Sequence, residues 1–486
     1  MTLQSQAYLQ GEYMNPKLFL TSIAVVALAS CGGTATSSAI GGSSSDTRRS
    51  IDWSNPYADT ADEEVTLNVW GGETQDSVDF IRTVAQDFKK ANPKSNYTIQ
   101  VKPVSESSVS GDWAQNPDTA ADLAIAADDQ IPSMISSNYI QNIEQLEKKI
   151  PGLADSIKTR NSKESIEVLT SEEKTYGFPV SASNGYILYY NSNLIKAEDT
   201  TSFEKLLAAI KKVSEEKGKN YRFGFPSNSG WYLDGWFRPA GFSVYGEAGK
   251  ATVECDWNGE ATDPSGTKVK GVDVAASLVK LAHGQYEKYW TSQKQELLMN
   301  QVDDSAPNQI IATINGTWNY NRLKAAWGTG AAATTLPTYH VDSINKDYGM
   351  QSVKGFKVAV INRARAKTVV AACRFAEFLT NYENQILRFD ALSEAPTNTD
   401  SVKQCDYSTN ACVKALNEQW QKGGFVEKVN EAYWNPSNGL SNQLCVGNAG
   451  ADASFIKSGQ GTADIVLDMD AIQAALNACV ATLTGK

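Results

Sequence analysis

Two short stretches place chemically capable side chains where a strand has just ended. In the first, Ile310, Ile311, Thr313 and Ile314 form an apolar run that suits a buried strand. Asn315-Gly316 breaks it as a turn pair tolerant of positive φ, and Trp318 follows at the start of a helix. In the second, Ala121 to Ala127 reads as a short buried strand that stops at Asp128-Asp129-Gln130. A flat ring in one place, and carboxylate and amide groups in the other, would face the crevice at the carboxyl edge of a sheet, where open α/β folds hold ligands. That is equipment for binding. Equipment for breaking bonds is sparse. The two histidines, His283 and His340, lie far apart, which argues against a Ser–His–acid triad or a His-rich metal site, and no Cys-x-x-Cys occurs. Asp128 and Asp129 are adjacent and need not face each other across a cleft, and no other acidic pair stands out.

The elements that must position these groups alternate along the chain. Val65 to Trp70 alternates as a half-buried strand and stops at Gly71-Gly72. Ser77 to Ala91 carries Val78, Ile81, Val84, Ala85 and Phe88 at helical spacing, with Asn92-Pro93 as its stop, and Tyr97 to Val101 alternates again. Strand, helix and strand at this separation make a βαβ unit. Tyr176 to Asn191 has the texture of two strand pieces separated by a small, polar crossing. Thr201-Ser-Phe-Glu204 has a capping-box pattern and opens a helix with Phe203, Leu206, Leu207 and Ile210 on one face. A second run of alternating elements begins there, consistent with a second α/β domain. Trp231, Trp236 and Phe237 fall in one further helix, so at least one of them is core. The 486 residues suffice for two domains, and a formal charge of −11 argues against a nucleic-acid partner.

The amino terminus reads as targeting sequence. Met14 suits a true start, Met14-Asn-Pro-Lys17 a short basic region, and Leu18 to Leu28 an apolar stretch too short to span a bilayer. It ends in Leu28-Ala-Ser-Cys31-Gly32, which resembles the lipobox of bacterial lipoproteins. That resemblance implies that Cys31 is lipidated and becomes the mature amino terminus. Residues 1–31 are thus a signal region, and 32–61, rich in Gly, Ser, Thr, Ala and Asp, a flexible tether reaching roughly 30 Å. The expected location is the outer face of the cytoplasmic membrane of a bacterium. Six further cysteines, Cys255, Cys373, Cys405, Cys412, Cys445 and Cys479, suit an oxidising compartment. Cys405/Cys412 and Cys445/Cys479 are candidate pairs among fifteen pairings, and Cys373 falls in a helical pattern as a buried thiol.

Four blocks in order, Asp122 to Leu146, Tyr176 to Leu194, Asn308 to Leu323 with Leu336-Pro-Thr338, and Val369 to Phe389, resemble the sugar-binding proteins of ABC importers. The maltose/maltodextrin-binding branch fits in particular, from about residue 62 onward. The most specific element is Ile314-Asn-Gly-Thr-Trp318, which resembles that family's Asn-Gly-x-Trp, followed by Gly177-Phe-Pro-Val-Ser-Ala-Ser-Asn-Gly. The resemblance implies an α/β fold, a two-lobed periplasmic-binding-protein-like (type II) clamshell with a multi-crossing hinge. Lobe 1 would hold 62–181 and 355–392, and lobe 2 would hold 182–354 and 393–486. The crossings fall near Ser181, Gly355 and Leu392.

A sugar offers an apolar face and an equator of hydroxyls, so it needs aromatic platforms and polar groups. The family's platforms match Trp318, Tyr232 or its neighbour Trp231, and Trp434. Its polar contacts match Asp129 and Gln130, with Glu73 a further candidate and Ser183 and Asn184 at the hinge. Ala126 and Gln130 stand where the enterobacterial branch has Trp and Arg, so the sugar's identity stays open. The implied role is a monomeric, non-catalytic receptor that needs no cofactor or metal, captures an oligosaccharide and delivers it to the permease of an ABC transporter. A surface glycoside hydrolase, or the same fold binding a peptide or polyamine, are the alternatives. Two look-alikes are set aside. Gly328-Thr-Gly330 does not follow a strand within a βαβ unit, and Asp464 with Asp468-Met-Asp470 lacks the glycine and closing glutamate of a calcium loop.

Overall fold

The structure is a computed structural model and describes residues 64–247, 250–446 and 455–486. The signal region, Cys31 and the tether lie outside the described residues. Strand β1 (Glu64–Trp70), helix α1 (Gln75–Ala91), strand β2 (Asn96–Lys102) and strand β3 (Leu123–Ala127) come first. The chain continues through β4 (Phe178–Asn184), β5 (Tyr186–Asn191), α2 (Phe203–Lys217), β6 (Arg222–Pro226) and α3 (Gly230–Phe237). Next are α4 (Gly271–His283), β7 (Trp290–Gln293), β8 (Ile310–Gly316), α5 (Tyr320–Trp327) and β9 (Ala331–Thr334). The last major elements are β10 (Gly355–Ile361), α6 (Val369–Leu379), α7 (Tyr382–Leu392), α8 (Ala411–Gly423), α9 (Trp434–Val446) and α10 (Met469–Thr484).

The strands form two five-stranded sheets, ordered β2-β1-β3-β10-β4 and β7-β6-β8-β5-β9. In the first, β2, β1 and β3 run parallel and β10 lies antiparallel to both β3 and β4. In the second, β7, β6 and β8 run parallel and β5 is antiparallel to β8 and β9. Each sheet has an apolar core on both faces. Helix α1 shows how the sequence arranges this. Thr74 caps it by accepting from the Ser77 N–H, and Val78, Ile81, Val84, Ala85 and Phe88 all turn inward. Phe88 packs edge-on against Phe375 at 5.3 Å, joining α1 to α6. The cap of α2 is Ser202, one residue later than the capping-box pattern suggests, and it accepts from the Lys205 N–H.

Two passages between the sheets lie side by side. The first sheet keeps its strand as far as Asn184 and the second begins at Tyr186, so the chain passes at Gly185. A side chain there would meet the Val353 carbonyl at 2.7 Å. The return strand runs close alongside. A Cβ on Gly355 would lie 2.3 Å from the Asn184 carbonyl, and the Tyr186 N–H donates to Ser352 Oγ at 3.0 Å. A third segment touches the same place, where the Ala182 N–H donates to the Ala395 carbonyl at 2.7 Å.

The six cysteines from Cys255 onward are thiols, which corrects the two expected pairs. Cys405 packs with Phe389 and Tyr407, whereas Cys412 turns into a different core, its Sγ 3.2 Å from Tyr189 Oη. Cys479 directs its thiol to the Pro436 carbonyl, and Cys445 lies buried beside Ser292. Cys373 is fully buried in α6.

Candidate functional site

All three parallel strands of the second sheet deliver side chains to one cavity from just beyond their carboxyl ends, and β3 of the first sheet does so from the other side. The cavity has a volume of about 430 Å³. Strand β8 leads to Trp318, β6 to Asn228 and Ser229, and β7 to Gln295 and Glu296, while β3 leads to Asp129 and Gln130. This is the placement expected of ligands in open α/β sheets.

Trp318 sits on a single 3₁₀ turn, Thr317–Asn319, between β8 and α5. The turn is fixed at both sides. Thr317 Oγ1 donates to the Ser183 carbonyl at 2.5 Å, and Asn315 Oδ1 accepts from the Gly316 N–H at 2.9 Å and from Asn319 Nδ2 at 2.8 Å. The Asn-Gly pair does not form the positive-φ turn its sequence suggests, because Gly316 has φ −73° and ends the strand in extended backbone. Glycine is required there for space: a Cβ would lie 2.1 Å from Trp318 Cη2, so the indole lies over a bare backbone. Gly316→Ala is therefore expected to push the ring out of place. Calorimetry should show a loss of ligand affinity approaching that of removing the ring, while far-UV circular dichroism stays unchanged. Full affinity in that variant would mean the ring's position does not matter.

The other aromatics are built around Trp318. Its ring lies 5.6 Å from that of Trp231 at 32°, and Trp231 in turn meets Tyr186 edge-on at 4.7 Å. Helix α3 is held against α9, since the Gly230 N–H donates to Asn438 Oδ1 at 2.6 Å and Tyr433 Oη donates to the Gly230 carbonyl at 2.7 Å. Tyr232 is almost fully buried, with its hydroxyl donating to Gln295 Oε1 at 2.9 Å. Trp434, half-buried at the start of α9, packs edge-on against Tyr433 at 5.1 Å. Trp318 Nε1 is buried and has no partner, so it is a donor waiting for an acceptor.

The facing wall is acidic. Burial first, then the charge of Asp129, pushes the Asp128 carboxyl up to about 7, against a hydrogen bond from Asn184 Nδ2 at 3.1 Å. Asp129 is pushed up to about 6, again by burial first, with the charge of Glu431 adding and a hydrogen bond from Gln130 Nε2 at 3.2 Å opposing. The second oxygen of Asp129, Oδ1, is buried without a partner.

Seven of the nine residues read from the sequence line this cavity: Trp318, Trp231, Tyr232, Trp434, Asp129, Gln130 and Asn184. Ser183 does not. It is buried in β4, its hydroxyl 2.8 Å from that of Ser181, and only its carbonyl touches the site by accepting from Thr317. Glu73 does not line it either. It is exposed past β1, where its carboxylate accepts from Ser105 Oγ at 2.8 Å and senses the charges of Glu106 and Glu296. Residues not singled out were within reach of the same reasoning. Asn228 and Ser229 follow a strand end as Asp129 does, and Glu431 and Asn438 lie three residues before and four after Trp434, on its helical face. Gln295 and Glu296 follow a four-residue strand too short to stand out.

Two sheets joined by adjacent passages, with one cavity fed from the strand ends of both, define a solute-binding protein. The sequence agrees: residues 83–415 match the family of bacterial extracellular solute-binding proteins, and the chain belongs to it. The maltooligosaccharide ABC transporter solute-binding lipoprotein of Streptococcus pneumoniae strain R6 is 26% identical over 332 residues, covering 66% of this chain and 70% of that one. The fold is that of the unliganded maltodextrin binding protein from L. casei BL23, with a TM-score of 0.65 at 19% identity over 87% of this chain and 99% of that one. The Thermus thermophilus maltotriose binding protein bound with maltotriose is similar too, with a TM-score of 0.64 at 16% identity over 86% and 98%.

Proposed function

We propose that this chain captures an oligosaccharide of the maltodextrin type between its two sheets and passes it to the membrane subunits of an ABC importer without altering it. The observation that carries this reading is the cluster of Trp318, Trp231 and Trp434 on one side of the cavity, opposite Asp129 and Gln130. Aromatic faces suit the C–H faces of sugar rings, and the unpartnered Trp318 Nε1 and Asp129 Oδ1 suit hydroxyl groups, which both accept and donate. The names of the relatives support the same class of ligand. A cavity of about 430 Å³ falls within the range of roughly 300–1,000 Å³ typical of small-ligand sites. Lipidation at Cys31, the tether, the monomeric state and the permease partner belong to this proposal.

The test is a thermal-shift panel of malto-oligosaccharides, other glycans, peptides and polyamines, followed by analysis of the recovered ligand. At a ligand concentration a hundredfold above Kd, binding adds about 2.7 kcal/mol to stability, which shows as a rise of several degrees in Tm. Stabilisation by malto-oligosaccharides that are recovered intact is the expected result. New reducing ends would mark a hydrolase and overturn it, as would stabilisation by peptides or polyamines alone.

A further inference from the structure

The cavity between the sheets is lined by three carboxylates, Asp129, Glu296 and Glu431, and among the described residues lining it there is no Lys, Arg or His. The acidic wall continues behind Asp129. Asp128 and Glu427 line a second cavity of about 350 Å³ that shares Asp129 with the first, and among the described residues lining it the single cation, Lys428, is solvent-exposed. Of the two cations nearest this region, Lys357 is buried among other carboxylates, and Arg238 is half-buried, with a charge that reaches Glu427 as well as Asp234. Lys357 lies 3.0 Å from Glu106 and 2.8 Å from Glu394, and Arg238 lies 3.0 Å from Asp234. Burial and mutual repulsion push Glu427 well above the usual carboxylate range, as they do Asp128 and Asp129.

Glu296 and Glu431 are exposed at the rim and keep their water, but Asp129 is half-buried, and a neutral sugar laid against it would take water from its carboxylate and leave that charge unopposed. A cationic group on the ligand removes that cost. We infer that the preferred ligand is an oligosaccharide carrying a protonated amine, with the ammonium donating to Asp129 Oδ1 against the aromatic cluster. This rests on the oligosaccharide reading above and names the ligand class within it. Two features beyond the charge count point the same way. Asp129 Oδ1 is a buried acceptor without a partner, and the Trp231 and Trp318 faces attract a cation as readily as they stack a sugar. Neutral donors and acceptors from Asn228, Gln295 and Asn438 complete the surround, which suits hydroxyls and distinguishes the site from one for a bare polyamine.

The test compares maltotriose with three isomers in which a primary amine replaces the 6-hydroxyl of one ring in turn, with their N-acetyl derivatives, and with spermidine, by calorimetry at pH 7. At least one amine isomer is expected to bind tenfold or more tightly than maltotriose. The advantage should fall away on N-acetylation, in Asp129→Asn and in Glu431→Gln, and should shrink as salt is raised. Circular dichroism of both variants establishes that they are folded. Maltotriose binding as tightly as every amine isomer would leave the oligosaccharide reading standing and overturn this one. So would maltotriose affinity that rises towards pH 5.5 with no amine preference, since a proton would then supply the missing positive charge. Spermidine binding as tightly as the best isomer would remove the sugar from the assignment, and no binding by any of the sugars would overturn both readings.

Discussion

Trp318→Ala is expected to lower affinity for a malto-oligosaccharide on the order of 10²-fold while the protein stays folded. A ring of this size presents on the order of 150 Å² to a partner, worth up to about 4 kcal/mol at 25 cal/mol per Å². Trp318 is half-buried and already shares one face with Trp231, so only part of that area is available to a ligand. About 3 kcal/mol remains, which is the stated loss. The cost in stability is much smaller. The ring stands on a turn outside the strands, and the turn's own anchors, Thr317 to Ser183 and Asn319 to Asn315, do not involve the indole. Calorimetry against maltotriose, with a thermal melt of the unliganded variant, separates the two effects. Unchanged affinity would show that the ring is core packing, and a collapsed melt would show that it is a structural support.

Much of this arrangement is legible in the sequence because it is local. The strand over Glu64–Trp70, helix α1 and the βαβ unit follow from alternation, helical spacing and the stop at Asn92-Pro93. The strand-end rule then places Trp318 and Asp129 at one cavity. What misled was polarity that looks like surface or hinge. Ser181 and Ser183 read as a crossing, yet both are buried in β4, where a carboxylate from a distant segment accepts from Ser181 Oγ at 3.0 Å and the Ser183 hydroxyl lies 2.8 Å from that of Ser181. Gly316 reads as a turn residue, yet its role is to leave room for a ring two residues later. Neither requirement is visible without the partner that imposes it. The cysteines fail for the same reason. Cys405 and Cys412 are seven residues apart, but face separate cores.

The buried ion network at the passages is the part least visible in sequence, and it makes the second large prediction. Lys357, in the middle of β10, is 6% exposed and holds Glu394 and Glu106 at once. Glu394 also accepts from Arg388 at 3.0 Å and from Ser181. Its burial would raise its pKa, but the charges of Lys357 and Arg388 overcome this and hold the carboxyl down at about 2. Lys357→Met keeps the length of the side chain and removes the charge, leaving two carboxylates around one remaining arginine. Breaking a buried pair in this way costs about 3–5 kcal/mol. Urea unfolding at pH 7 should show that loss as a lower midpoint, and a change of less than about 1 kcal/mol would mean the carboxylates find other donors.

The sign of the pH dependence provides an independent check. A carboxyl whose pKa falls on folding contributes stability that is present above its unfolded value, near 4.5, and lost as pH drops towards 2. In the variant this depression is weakened, so Glu394 takes up a proton at higher pH and the charge imbalance disappears sooner. The stability gap between wild type and Lys357→Met should therefore be widest at neutral pH and close as pH falls through the 4.5-to-2 window. A gap independent of pH would assign the loss to how the substituted side chain packs rather than to the missing charge. The same residues tie the site to the passages. The Glu106 carbonyl accepts from the N–H of Ala127, a cavity-lining residue, at 3.1 Å, while Glu394 and Ser181 belong to two of the three segments that meet beside Gly185. Weaker ligand binding in folded Lys357→Met, with every cavity-lining residue intact, would show that this network sets how the two sheets approach each other around the ligand.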